Sequence, residues 1–298
     1  MEILTEAEVT DIIIVNKSNK SGKRIRNPAQ LQDAFGIVGS SLNPILTHLS
    51  KTRRALFVEG KDFKIISQFA RKLGKDHIAN RRDFAVIPIG GFNIQKTKNL
   101  LEGIETALGN KISSFVLLDK DFRSFGEVEN ICNDSKGIFG SLMVLDRKEI
   151  ENYLLIPKAI ERAIQKRLNS RSPIKPAQPS VSLDIMPYLE SCIEEQHAHV
   201  LSQLLSENER FHREAKSSLH KSTINENFIL QFAQHWKGID FRISTIGGKK
   251  ALADLNNIIE LQCGCSVTPN TIINSAERSE IPKKIIELID SLEIFRAS

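Results

Sequence analysis

Between residues 54 and 157 the chain alternates short, β-rich apolar runs with stretches of helical period, and a mostly parallel sheet with helices on its faces is the architecture that fits this pattern. Four strands are predicted: Ala55–Glu59 (ALFVE), Phe84–Ile89 (FAVIPI), Ser114–Asp119 (SFVLLD) and Ser141–Asp146 (SLMVLD). Helices are expected between them near Asp62–Leu73, Lys96–Leu108 and Phe125–Cys132. Each run is almost continuously apolar, as in a strand covered on both faces. Right-handed crossovers would then lay helices on both sides. The expected fold class is α/β and Rossmann-like: a mostly parallel sheet flanked by helices, plus a helical insertion.

The flanks read differently. Upstream lie a predicted strand, Asp11–Val15 (DIIIV), a turn-rich NKSNKSGK segment and two short helical stretches around Pro28–Phe35 and Pro44–Ser50. Downstream, Pro173 to Gly238 opens with the proline-broken SPIKPAQPS and continues as a long polar helical stretch from Leu183 to about Lys216, which reads as a helical insertion. Sheet character is expected to resume at Phe241–Ile246 (FRISTI). There Gly247 and Gly248 break the strand, and Lys249 leads a helix to about Leu261, with Gly264 as its stop. The division is therefore 1–52 as an N-terminal segment, 53–170 as the core, 171–238 as the insertion and 239–298 as the completion of the core.

At 298 residues, 41% of them hydrophobic and 26% charged, the chain can bury a substantial core. The formal charge of +5 points mildly toward polyanionic partners, but 41 basic residues against 36 acidic ones is a mixed surface. No run approaches the roughly 18 apolar residues of a membrane span, and MEILTEAEVT is acidic where a secretory signal is basic and then apolar. A cytoplasmic chain without a membrane partner is the expectation. Cys132, Cys192, Cys263 and Cys265 are too few and too irregular for a disulfide framework or a four-ligand zinc site, so they read as buried or incidental thiols. His197 and His199, two apart in a helical stretch, should point to different sides and read as a solvated face. Around them Ile193, Val200, Leu204 and Leu205 suggest an interhelical contact or a homodimer.

The chemistry lies at the strand ends. In open α/β sheets the site forms outside the carboxyl ends of the strands, and here the predicted strands end in Glu59-Gly60, in Gly90-Gly91 and in Asp119-Lys120-Asp121, while the fourth is followed by Arg147-Lys148-Glu149-Ile150-Glu151-Asn152. If the third strand runs on through Asp119 and Asp121, their carboxylates leave one face about 6–7 Å apart. Carboxylates so placed repel unless cations are present, and an all-oxygen set suits Mg²⁺ or Mn²⁺, with two ions expected. Such ions activate a water and neutralise a scissile phosphate, so phosphodiester cleavage is the natural reaction. Gly60 and Gly90-Gly91 let backbone approach a phosphate. Lys249, with the free N–H groups of its helix start, is the candidate for stabilising transition-state charge.

With these residues in hand the chain resembles the TOPRIM fold of topoisomerases, bacterial primases and the OLD (overcoming lysogenization defect) family of nucleases. FVEG with Glu59 is similar to the family's first-strand glutamate and LLDKD with Asp119 and Asp121 to its DxD motif. In the OLD-type enzymes the resemblance extends to Lys148-Glu149-Ile150-Glu151-Asn152-Tyr153, to the helical insertion and to Gly248-Lys249, and covers roughly residues 40–298. It implies a metal-dependent endonuclease acting on DNA or RNA in anti-phage defence, with Glu59, Asp119, Asp121, Glu151 and Lys249 catalytic and with Glu59, Asp62, Asp119, Asp121, Glu149 and Glu151 as metal ligands. It also implies an ATPase domain or subunit as partner. The first forty residues resemble the end of such an ATPase domain, and the chain has no GxxxxGK[ST] loop of its own. One position departs from the pattern: Phe63 stands where many relatives place a second acid, with Asp62 one residue early. The alternative is a non-catalytic module that binds nucleic acid or docks on an ATPase. Topoisomerase or primase activity is disfavoured, because only Tyr153 and Tyr188 are available as tyrosines and no zinc-binding module is present.

Overall fold

A computed structural model of the chain describes residues 44–91, 93–170 and 184–297, together with two short strands at 13–14 and 23–24 that pair antiparallel. Of the predicted strand Asp11–Val15 the described part, Ile13–Ile14, is strand, and the rest of it and the predicted helix Pro28–Phe35 lie outside the described residues. The class is α/β and Rossmann-like, as expected. Four parallel strands form the sheet: β1 (Arg54–Glu59), β2 (Ala85–Ile89), β3 (Ser113–Leu118) and β4 (Ser141–Val144), in the order β2-β1-β3-β4. The chain leaves β1 for β2 on one side, then crosses back past β1 to β3. The order therefore reverses between β1 and β3, and the crevice outside their carboxyl ends is where α/β sheets bind ligands.

Strand alternation sorts the core into two layers. Leu56, Val58, Phe115 and Leu117 face one side, and Ala55, Phe57, Val116 and Leu118 the other. The second face is closed by α1 (Pro44–Thr52) through Leu49, by α4 (Ile94–Leu108) through Leu101, and by α5 (Phe125–Asp134) through Val128 and Ile131. The first face is covered by α2 (Phe63–Lys72), the short α3 (Asp76–Ala79), α6 (Pro157–Ser170), α12 (Pro269–Ser275) and α13 (Lys283–Ala297). Phe63, Ile66 and Phe69 recur at the spacing that puts them on one stripe of α2, and all three are buried. Phe295 of α13 reaches back to ring contact with Phe84 and Phe115, at centroid distances of 6.0 and 5.6 Å.

Between α6 and α12 run α7 (Met186–Glu194), α8 (His197–Glu214), α9 (Lys221–His235), α10 (Ile239–Thr245) and α11 (Gly248–Cys263). Two sequence expectations change here. FRISTI is not a strand but helix α10, and no strand follows Val144 among the described residues. Its alternation concealed a helical period, since Ile239, Ile243 and Ile246 stand at i, i+4 and i+7 and all pack on the core. The C-terminal part thus completes the core with helices. The long polar helix is also interrupted, at Glu195–Gln196, so that Gln196 Oε1 accepts the Gly247 N–H at 2.9 Å. The segment read as an insertion shares the main core, with Ile193 and Val200 fully buried and Leu204 packed against them. Those apolar positions serve contacts within the chain.

His197 and His199 do diverge, but only His199 is solvated; His197 packs edge-on against Trp236 and Phe232 at 4.8 and 5.4 Å. The four cysteines are free, two of them buried. Among the described residues no helix is long and apolar enough to cross a membrane.

Candidate acidic site at the sheet edge

β1 delivers Glu59 and then turns at Gly60, whose φ of +53° is left-handed and whose N–H donates to Ile89 O at 3.2 Å. A Cβ there would meet open space, so Gly60→Ala strains only the backbone. It is expected to cost about 1 kcal/mol, read as a Tm lower by roughly 2–4 °C; an unchanged Tm would show that the turn relaxes freely. Gly90 and Gly91 at the end of β2 are likewise exposed, with open space about them. Asp62 closes the turn, its N–H donating to Glu59 O at 3.2 Å, and stands as N-cap of α2.

β3 ends at Leu118, one residue short of the prediction, so Asp119 and Asp121 are not a same-face strand pair. Asp121 takes a left-handed φ of +50°, and its N–H donates to Lys148 O at 2.9 Å. Asp119 stays buried while Asp121 swings to the surface, where its Oδ2 meets Arg123 Nη1 at 2.9 Å. The same guanidinium nitrogen donates to Asp119 O at 2.9 Å and so ties the loop together.

The fourth segment is built around a residue to which the sequence had assigned no role of its own. Asn152 is fully buried: its Oδ1 accepts the Glu149 N–H at 3.1 Å, and its Nδ2 donates to Ile243 O and Ile246 O at 2.7 and 2.8 Å. It clamps the turn Ile150–Leu154 to the end of α10. Tyr153 adds a second brace, its hydroxyl donating to Asp146 while accepting the N–H groups of Asp146 and Arg147. The two glutamates then part company. Glu149 Oε1 accepts the Lys249 N–H at 2.6 Å, and its Oε2 lies 3.4 Å from Lys148 Nζ, so Glu149 is occupied at the start of α11. With Glu149 on Lys249 N and Gln196 on Gly247 N, these N–H groups at the start of α11 are occupied from within the chain, against the expectation that they face an anion. Glu151 instead looks toward the sheet edge, its Oε1 3.6 Å from the Lys249 ammonium.

Asp62 and Asp119 both lie in the field of Glu59 and Glu151. Burial pushes Asp119 up to about 9, reinforced by Asp62, Glu59, Asp121 and Glu151. Burial likewise raises Asp62 to about 7, with Glu151, Glu59 and Glu149 adding to it against Lys249. Glu59 and Glu151 are raised for the same first reason, with Arg123 and Lys249 opposing the rise at Glu59 and Lys249 at Glu151. At Lys249 burial works against the ammonium, but Glu151, Glu149, Asp62 and Asp119 together outweigh it and raise the pKa.

Glu59 Oε1, Asp119 Oδ1 and Glu151 Oε2 are buried without any hydrogen-bond partner. Leaving a buried acceptor unmade costs about 1–3 kcal/mol, more when it is charged. Hard, anionic oxygens of this kind are the donors Mg²⁺ and Mn²⁺ prefer. Among the described residues no group of three or more His, Cys, Asp or Glu side chains is set up to hold a metal ion on its own. Mg²⁺ does not require such a cage, since it commonly keeps several waters and takes one or two carboxylates together with substrate phosphate. The donor set therefore fits a partly hydrated ion.

Compared with protein-family models, with curated proteins and with solved structures, the chain gives no match.

Proposed function

We propose that the chain is a divalent-metal-dependent nuclease of the TOPRIM/OLD type, hydrolysing DNA or RNA phosphodiesters. The supporting observation is the set of three buried, unpartnered carboxylate oxygens on Glu59, Asp119 and Glu151, two of them at the ends of β1 and β3 between which the strand order reverses and the third, after β4, close enough to act on Asp119. In this reading Mg²⁺ or Mn²⁺ takes one or two of the Glu59, Asp119 and Glu151 carboxylates and keeps waters for its other positions, with Asp62 and Asp121 at the periphery and Glu149 fixing the turn that presents Glu151. When bound, a divalent ion supplies positive charge against the scissile phosphate and acidifies a water. Glu59 either shares in holding the ion or takes the proton of the attacking water. Lys249, half-free at 64% side-chain exposure, turns its ammonium to a phosphate oxygen. Burial of the acidic oxygens keeps bulk water from screening these charges. An ATPase domain or subunit and an anti-phage role belong to the same proposal.

The test is cleavage of plasmid DNA, and separately of RNA, with Mg²⁺ or Mn²⁺. Protein that binds metal but cuts neither, with Asp119→Ala changing nothing, overturns the reading. Lys249→Ala is expected to lower the cleavage rate by about 10²-fold, measured beside a thermal melt because Lys249 also offsets the charge of buried Glu151 and Asp62; a rate equal to wild type removes Lys249 from the chemistry. A second reading, a non-catalytic module that holds nucleic acid or docks on an ATPase, is favoured by the lack of a ready three-donor metal group among the described residues. Calorimetry separates the two, because the nuclease has a divalent-ion site that disappears in Glu59→Ala and the docking module has none.

A further inference from the structure

Among the described residues, Phe125 is the one aromatic side chain of the large apolar group left exposed, at 84%. It is the first residue of α5 and stands four positions after Asp121, so its Cα lies at most about 14 Å from that of Asp121. A stacked strand rises about 3.4 Å per nucleotide, which puts the ring within about four nucleotides of a phosphate at the acidic edge.

The backbone that presents Phe125 is fixed on both sides. Before it, Arg123 is tied to Asp119 O and Asp121, and Ser124 closes a capping box with Glu127. After it, Gly126 sits against the Phe211 ring of α8 so closely that a Cβ would approach to 2.8 Å, and buried Glu127 pairs with Arg210 at 2.6 Å. The neighbouring Phe122 is used internally, under Lys148 at 5.1 Å and edge-on to His199 at 6.1 Å. Phe125, by contrast, stands 84% exposed. An aromatic ring on a fixed backbone, facing water a few residues from the acidic cluster, matches the way single-stranded nucleic acid is held by bases stacked on aromatic faces, while Arg123 and Arg210 are already paired with Asp121 and with Glu127 and Glu207.

We propose that Phe125 is a stacking platform for an unpaired nucleobase, so that the site takes single-stranded or locally opened nucleic acid; this deepens the nuclease reading and rests on it. Bases inside a duplex are already stacked and offer the ring no free face.

The test is fluorescence anisotropy of the full chain in chelator, where binding proceeds without cleavage. The probes are labelled oligo-dT, oligo-U, an oligo-dT carrying abasic sites, and a duplex. Phe125→Ala is expected to bind oligo-dT or oligo-U roughly 5- to 150-fold more weakly, the range set by base–aromatic stacking, with Phe125→Trp restoring affinity and the abasic and duplex probes unaffected. An equal loss on the abasic probe, or no loss on any probe, overturns the platform. If wild type cuts nucleic acid while Phe125→Ala binds every probe as wild type does, the nuclease stands and the platform falls. If wild type neither binds these probes nor cuts plasmid or RNA, both fall.

Discussion

Asp119→Asn is expected to abolish metal-dependent cleavage and, in the absence of metal, to make the protein more stable than wild type. The two effects have one origin. Asp119 is held buried at about 9 and Asp62 at about 7, against an ordinary aspartate value of about 3.9 in an unfolded chain. The folded state thus binds more protons than the unfolded state across that window, and stability falls as pH rises from about 4 toward 9. Asparagine cannot ionise, so it removes the largest part of that slope. At pH 8 without divalent ions the variant should melt a few degrees higher, at roughly 2–4 °C per kcal/mol. Added Mn²⁺ should raise the Tm of wild type far more than that of the variant. Cleavage should fall by at least about 10²–10³-fold, as for loss of a group that stabilises transition-state charge. Thermal melts with and without Mn²⁺ at several pH values check the first part and plasmid cleavage the second. A lower metal-free Tm for the variant would mean that Asp119 makes stabilising contacts and that its isolation has been misjudged.

The second large effect is expected from a methyl group. Gly248 opens α11 with its Cα pressed against Asn152, so that an added Cβ would lie 2.5 Å from the Asn152 nitrogen and 2.7 Å from its Oδ1. Part of that contact is backbone and cannot rotate away. Gly248→Ala must push α11 off the Ile150–Leu154 turn, at a cost of about 1–3 kcal/mol from overpacking alone. The displacement also moves Lys249 and the hold of Glu149 on its N–H, and a shift near 1 Å at a reacting centre costs on the order of 10²-fold in rate. The expected outcome is a Tm lower by several degrees together with a deep loss of cleavage. Full activity at wild-type Tm would show that α11 is free to slide, and that the clamp does not position the site.

The strands were readable because a parallel sheet covered on both faces leaves unbroken apolar runs, and all four were found within a residue or two of their ends. Glu59 and Asp119 followed at once, since the residue after such a run stands at the sheet edge. What the sequence hid was set by tertiary contact. FRISTI satisfies both a two-residue and a helical period, and six residues are too few to separate them. Asp121 left the predicted face because its backbone turns left-handed to reach Lys148 O, a choice made by a partner 27 positions away. Glu149 and Glu151 look equivalent in KEIEN, yet one caps a helix a hundred residues downstream and the other keeps one buried oxygen without a hydrogen-bond partner. Asn152 drew no notice because one buried amide carries no pattern; only its three partners, one in its own turn and two on a distant segment, reveal the clamp.

That clamp sets an order of assembly. By the time the ribosome has passed residue 151, every acidic residue of the cluster has been made, but the carbonyls that Asn152 grips belong to Ile243 and Ile246, more than ninety positions later, and Lys249 follows them. A nascent or prematurely ended chain therefore carries the charges without the brace that aims them. The geometry of this edge is therefore a property of the chain through Lys249 and not of its first half.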